Sequence, residues 1–502
     1  MAEQQRRLRR CPDRHRAFVI SDISNEPDDA ESLVRFLLYG NEFDTQGLVA
    51  CTSTWMRNNV HPEDMERIVT AYGTVVDNLN THVHPDNQYP PAADLLRLIK
   101  AGPACYGREA LSAPLSDGTA LLIEKLEASE RPLWILCWGG TNVIAQALQH
   151  FDKTKSQDEA ARLRSRLRVY AISDQDDTGM WIRVKYPDIF YICSVHGWKE
   201  YGMAAWTGIS GDVLFPLDEG GPDITKVKKD WLKEHIQIGP LGKEYPDYSF
   251  IMEGDTPTLL YLIQNGLGSS ENPHWGSWGG RYVLGDLGGV AHHYMDAKDT
   301  VIKDGKSFRS NHATIWRWRD AFQNDFAARM QWTLSGDRSK ANHAPVVIVN
   351  DGDNESTAGP EPFFIEVEAG AQITLDASKS YDPDGDDLTF RWFQYKEATS
   401  AQSHIHWAIV PDVEFVLAEG TPSGAVVDVT IPGPETTAVD ILTGQALEKG
   451  QALHFILEVK DKGTPSLITY KRVVAQVTNR ELRGAKGKAY DTITEALGHH
   501  TK

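Results

Sequence analysis

Short unbroken apolar runs alternate along the first two thirds of the chain with segments whose apolar residues recur every three or four positions. Residues 17–21 (AFVIS) read as a buried strand, and Ala30, Leu33, Val34, Leu37 and Leu38 then form one helical stripe. Residues 47–51 (GLVAC) are the next strand, followed by a helical face of Met65, Ile68, Val69, Tyr72, Val76 and Leu79. A third strand at 133–138 (LWILCW) precedes a helix through Ile144, Ala147 and Leu148, and 168–172 and 189–192 read as further strands. The last strand is expected at 249–253 (SFIME), ahead of a helix over 257–263. Strand and helix in alternation predict an α/β domain, a mostly parallel sheet flanked by helices, with its functional loops at the carboxyl ends of the strands.

Near position 340 the pattern changes. An aromatic helix (Trp316, Trp318, Phe322, Phe326, Trp332) gives way to short alternating segments at 364–367, 372–375, 388–393 and 454–459, separated by turn residues. They predict an all-β, immunoglobulin-like sandwich of about 140 residues. The expected division is an N-terminal extension over 1–16, the α/β domain over 17–338, the sandwich over 339–480 and a tail over 481–502. Trp392 and Trp407 fall in or near strand patterns of the sandwich, where core packing is expected.

With 41% apolar and 24% charged residues in 502, the chain has a globular composition, which excludes fibrous and disordered classes. The 70 acidic against 51 basic residues give a net charge of −19, which repels a phosphate backbone and argues against nucleic acid as partner. No run approaches the roughly 20 apolar residues of a membrane span. Residues 1–16 carry basic residues with no apolar segment after them, so no signal peptide is read, and a cytoplasmic location is expected unless a signal was trimmed. Association into a homo-oligomer stays open. The five cysteines, odd in number and never in a C-x-x-C pair, read as reduced, mostly buried thiols.

The first strand runs into Ser21-Asp22-Ile23-Ser24-Asn25-Glu26-Pro27-Asp28-Asp29-Ala30, with four acids in eight positions at a helix start. Capping needs one acid, and several carboxylates in one turn repel each other unless a cation or shared proton offsets them. A hard-metal site is therefore expected, and with no His or Cys cluster in competition calcium is the expected ion.

This turn resembles the Asp-rich signature of the nucleoside hydrolase superfamily, D-x-D-x-x-x-D-D-A. Asp22, Asp28 and Asp29 take three of its positions, and Ser24 stands where the second Asp would be. The resemblance implies that Asp22 and Asp29 ligate calcium and that Asp28 hydrogen-bonds sugar hydroxyls. It also implies that the group replaced by Ser24 is the one that deprotonates water. Gly139-Gly140-Thr141-Asn142 is similar to the family's G-x-x-T-N, one residue shorter, which implies a metal-binding Thr141 carbonyl. Glu253-Gly254-Asp255-Thr256-Pro257 resembles the segment giving the last calcium ligand, Asp255, with Gly254 in place of the His that helps a purine leave.

Several long motifs in order resemble, more closely, the cellulose-binding, nucleoside-hydrolase-like proteins of polysaccharide-degrading microbes, across most of the chain. They are NEPDDAESLVRFLLY, WGGTN, SDQDD, EGDTPTLLYLI, WGGRY and RWRDAFQNDFAARMQW. That likeness implies a carbohydrate context. Asp174, Asp176 and Asp177 follow a strand and are read as either a solvated turn or a sugar-binding loop. Asn25, in the Asp-rich turn, joins them as a candidate for the sugar. Trp181, Trp198, Trp206, Trp275 and Trp278, in Gly-rich or loop-like surroundings, offer flat faces to pyranose rings as a group, although each singly favours core packing. In the sandwich, DPDGD at 382–386 is read as an Asp-braced turn, with bound calcium as the alternative.

The expectation from sequence is a calcium-dependent hydrolase of a glycosidic or N-glycosidic bond in a carbohydrate-derived substrate, with Glu26 activating water and Glu253 as acid at the leaving group. Asp22, Asp29, Asp255 and the Thr141 carbonyl hold the metal, and Asp28, Asn25, the 174–177 loop, Trp181 and Trp278 the substrate. The alternative is a non-catalytic binder of a cellulose-like glycan that retains the metal loop, favoured by Ser24 and Gly254.

Overall fold

The computed structural model describes residues 5–196, 198–286, 288–350, 358–399, 410–421, 423–440 and 443–482, with scattered positions beyond, up to residue 495. The chain forms two compact units. Residues 11–263 and 277–341 belong to the first, with the first six residues. Residues 7–10, 264–276 and 342–502 make the second, so 264–276, inside the stretch read from sequence as the α/β domain, clusters with the C-terminal part.

The first unit is built on an eight-stranded sheet of β1 (His15–Ser21), β2 (Phe43–Ala50), β3 (Ile99–Ala101), β4 (Leu133–Cys137), β5 (Leu167–Ala171), β6 (Phe190–Cys193), β7 (Tyr282–Leu284) and β8 (His293–Asp296). Their order is β3-β2-β1-β4-β5-β6-β8-β7, every pair parallel except the antiparallel edge β8–β7. Residues 17–21 of β1 and all of β4 are buried, as befits central strands covered on both faces. Ile20 pairs with Val49 on one side and Cys137 on the other, so the strand order reverses between β1 and β4, and ligands bind at such a switch point. The helices that bear on the site are α1 (Pro27–Leu38), α2 (Pro62–Gly73), α3 (Asn142–Thr154), α4 (Thr178–Lys185), α5 (Thr256–Leu260) and α6 (Arg319–Trp332). Among the described residues, no helix is long and apolar enough to cross a membrane.

In the second unit, β9 (Phe363–Glu368), β15 (Ile468–Thr478), β14 (Lys449–Lys460) and β11 (Thr389–Gln394) form one sheet. A second sheet joins β10 (Gln372–Asp376), β13 (Val426–Thr430) and β12 (Phe415–Leu417). Leu375, Val427 and Val429 from the smaller sheet share one core with Leu453, Phe455, Leu457 and Val473 from the larger. Asp382 Oδ1 accepts the backbone N–H groups of Asp384, Gly385 and Asp386, so the DPDGD stretch is a turn braced by an Asp side chain. Trp392 packs against the core of this unit, and Trp407 lies outside the described residues.

Two expectations are corrected. Residues 249–253 form bends and not a strand. Phe250 stays 60% exposed, Glu253 takes a left-handed φ of 54°, and the place beside β6 is filled by β8. The helical face over 65–79 breaks after Gly73, where an added Cβ would come within 2.8 Å of Ala92 Cβ.

Candidate functional site

A cleft opens at the carboxyl edge of the sheet, lined by residues from the loops after β1 (Asp22, Asn25, Glu26, Asp28, Asp29), β2 (Trp55), β4 (Trp138) and β5 (Ile172, Ser173, Gln175). Tyr201, Trp206, Ile251 and Asp255 complete it. Backbone bonds tie these loops together: Cys51 N to Ser21 O at 2.8 Å, Trp138 N to Ile20 O at 2.8 Å and Gly140 N to Thr52 O at 3.0 Å. The first loop bends through Ser24, whose φ of 82° is unusual for a residue with a side chain. Its hydroxyl turns outward to Asp64 on α2 and does not line the cleft.

Glu26 is the N-cap of α1, with Pro27 next, and its own side chain makes no capping hydrogen bond. Asp28 and Asp29 are buried in the first turn that follows. Asp28, Asp29 and Asp255 each bring a carboxylate oxygen within 4.8 Å of the others. Ser21 donates to Asp29 Oδ1 at 2.5 Å, whereas Asp22 Oδ2 and Asp255 Oδ2 are buried with no hydrogen-bond donor. Burial, and then the neighbouring negative charges, push Asp28 up to about 8 and both Asp29 and Asp255 well above the usual carboxylate range. Burial raises Asp22 to about 6, against the Ser53 hydroxyl, and raises Glu26 as well. Without positive charge nearby, burial and mutual repulsion favour the protonated forms of these acids, and the donor-less oxygens fit a hard cation such as calcium.

Part of the lining is aromatic. Trp206 Nε1 donates to Ser173 Oγ at 3.1 Å, Trp138 Nε1 donates to Thr258 Oγ1 at 2.8 Å, and Trp55 remains 56% exposed. A Cβ on Gly254 would lie 2.8 Å from Asp28 Oδ2 and 3.2 Å from the Trp206 ring, so only glycine lets both groups keep their places.

The structure gathers Asp22, Asn25, Glu26, Asp28, Asp29 and Asp255 at the cleft and puts the other candidates elsewhere. Glu253 is fully buried in an ion pair with Arg35 at 2.6 Å and accepts the Tyr245 hydroxyl at 2.8 Å, so it has no path to a leaving group. Asp174 pairs with Arg183 through both oxygens, at 2.8 and 2.6 Å. Asp176 is buried, takes hydrogen bonds from Thr178 and is raised by burial to about 6. Asp177 accepts the Arg108 N–H at 2.8 Å. From that loop the cleft receives Ser173 and Gln175 instead. The Thr141 carbonyl accepts the Ala145 N–H at 3.1 Å in the first turn of α3. Trp181 packs against Tyr186 and Trp278 against Phe322. Trp275 meets His454 and Arg472 in the second unit, and the side chain of Trp198 lies outside the described residues. Of the grouped tryptophans whose side chains are described, Trp206 alone lines the cleft. Trp55, Trp138 and Tyr201 were missed; the position of the first two just past strand ends was the available signal.

Residues 16–282 match the family described as Cellulose-binding Sde182, nucleoside hydrolase-like domain. The chain belongs to this family. Residues 372–477 match a second description, Cellulose-binding protein Sde0182, C-terminal domain. A solved structure similar to this nucleoside-hydrolase-like chain is a nucleoside hydrolase-related hypothetical protein from Saccharophagus degradans that is associated with carbohydrate metabolism. It is 31% identical, with a TM-score of 0.72, over 93% of this chain and all 100% of that one. The effector protein XOO4466 aligns at 12% identity and a TM-score of 0.30, over 68% of this chain and 97% of its own, and carries no argument. Among proteins of curated function, none matches the sequence.

Proposed function

We propose that the cleft hydrolyses a glycosidic or N-glycosidic bond of a carbohydrate-derived substrate with the help of calcium. The observation that carries this reading is a set of buried carboxylates, Asp28, Asp29 and Asp255, beside the donor-less oxygens of Asp22 and Asp255, opening on a cleft that also holds Glu26. Asp22, Asp29 and Asp255 would hold the ion. Calcium there would supply the positive charge the carboxylates lack and positions for sugar hydroxyls and a water. Asp28, on the cleft wall, accepts sugar hydroxyls, and Trp206 and Tyr201 present ring faces to the apolar side of a pyranose. Glu26, half-buried and with its carboxyl raised by burial, takes the proton of the attacking water. The membership of a family described as cellulose-binding supports a glycan as the ligand.

A second reading, a glycan-binding protein without turnover, is favoured by two observations. Ser24 faces Asp64, and Glu253 is locked to Arg35, which removes from the cleft the carboxylate expected from sequence to act as acid opposite Glu26. Aryl glycosides, nucleosides and oligosaccharides, assayed with calcium and with chelator, decide between the two. Turnover abolished by chelator and by Glu26→Gln supports hydrolysis; calorimetric glycan binding with no turnover on any substrate supports the binder.

A further inference from the structure

Three residues on one face of α1, Asp28, Glu31 and Arg35, stand at i, i+3 and i+7, so the helix that presents two of the clustered carboxylates also carries a fully buried acid and a fully buried base. Both reach the same partner. Arg35 meets Glu253 through Nε to Oε2 at 2.6 Å and Nη2 to Oε1 at 3.0 Å, and Glu31 Oε2 accepts the Glu253 backbone N–H at 2.8 Å. The Thr256 hydroxyl donates to Ser32 Oγ on the same helix at 3.0 Å. Between these anchors sits Asp255, and the turn that carries it enters through Glu253 at φ 54°, a conformation that persists only where its surroundings hold it. Arg35 is itself held by the Phe322 carbonyl, the Gln323 side chain and the face of Phe326.

We infer that Arg35, Glu253 and Glu31 are positioning residues: they latch the Asp255 turn onto α1 and thereby set the distance between Asp255 and Asp29, the two residues on these elements that would hold a divalent cation. The inference rests on the calcium reading of the cluster. It also gives Glu253 a role in the site different from the acid that the sequence suggests.

Charge separates positioning from simple electrostatics. Arg35→Lys keeps the charge and loses the two-pronged contact, and the double variant Arg35→Gln/Glu253→Gln keeps the net charge and loses the ion pair. Calcium titrated calorimetrically into the full-length protein after chelation, well below each variant's melting temperature, should bind both at least about tenfold more weakly than wild type. Tyr245→Phe removes one hydrogen bond to Glu253 Oε1, leaves the pair intact to keep the fold, and should weaken calcium by about threefold. Arg329→Lys breaks a different buried pair, with Glu42 and Asp325, and should lower the melting temperature while its calcium affinity stays within about twofold. Affinities within about twofold of wild type in Tyr245→Phe and in whichever charge-conserving variants fold would overturn the latch. Wild type that binds no calcium would remove the cation reading together with it, an outcome distinct from normal binding in the variants.

Discussion

Asp29 Oδ1 accepts the hydroxyl of Ser21 at 2.5 Å, which joins the last residue of the central strand β1 to the acidic cluster eight positions later. The same Ser21 oxygen accepts the Ile23 N–H at 3.1 Å, so one hydroxyl shapes the loop and orients a carboxylate. Ser21→Ala leaves both partners buried and unpaired and is expected to cost about 1–3 kcal/mol in urea unfolding. A loss below about 0.5 kcal/mol would mean that water replaces the hydroxyl.

Stability with chelator should fall as pH rises. Asp22 at about 6, Asp28 at about 8, and Asp29 and Asp255 well above the usual range bind more protons folded than unfolded, where carboxyls titrate near about 4. Their contribution is therefore full below about pH 4 and is lost progressively up to about pH 8. Melting temperatures recorded from pH 5 to 8 should decline with chelator and decline less with calcium. A cation-free protein that gains stability over this window contradicts the assignment.

Gly254→Ala forces Asp28 or the Trp206 ring to move, since the new methyl would stand 2.8 Å and 3.2 Å from them. The expected result is at least about tenfold weaker glycan binding, about 1.4 kcal/mol, in a folded protein. Unchanged affinity by calorimetry would show that the cleft relaxes freely around residue 254.

If Glu26 is the base, the acidic limb of kcat/KM lies above the ordinary glutamate value of about 4.3, because burial raises its carboxyl. Glu26→Gln should remove that limb with the rate. A variant that keeps both moves the role to Asp22.

A chain ending at residue 341 should be poorly soluble. Buried Arg472 donates to the carbonyls of Leu267 at 2.7 Å and Trp275 at 2.9 Å, so removing residues 342–502 strips the 264–276 segment of its partner within the second unit. Soluble, monomeric material in gel filtration would show that this segment is satisfied without it.

Much of the site was legible because neighbours in sequence are neighbours at a strand end. Asp22, Glu26, Asp28 and Asp29 follow β1 directly, and a strand buried on both faces can open only at its carboxyl edge. The apolar runs of β1, β2, β4, β5 and β6 announced a parallel sheet for the same reason. The pattern said nothing of the short strands β7 and β8 at one end of the sheet, which are half-exposed and held by sheet hydrogen bonds more than by their own residues. Tertiary structure alone decided which acids are free. Glu253, Asp174 and Asp28 are alike in sequence, yet Arg35 and Arg183 neutralise the first two, while burial and neighbouring acids raise Asp28. It likewise chose Trp206 over Trp181 and Trp278, because an indole faces a ligand only where the surrounding chain leaves one side open.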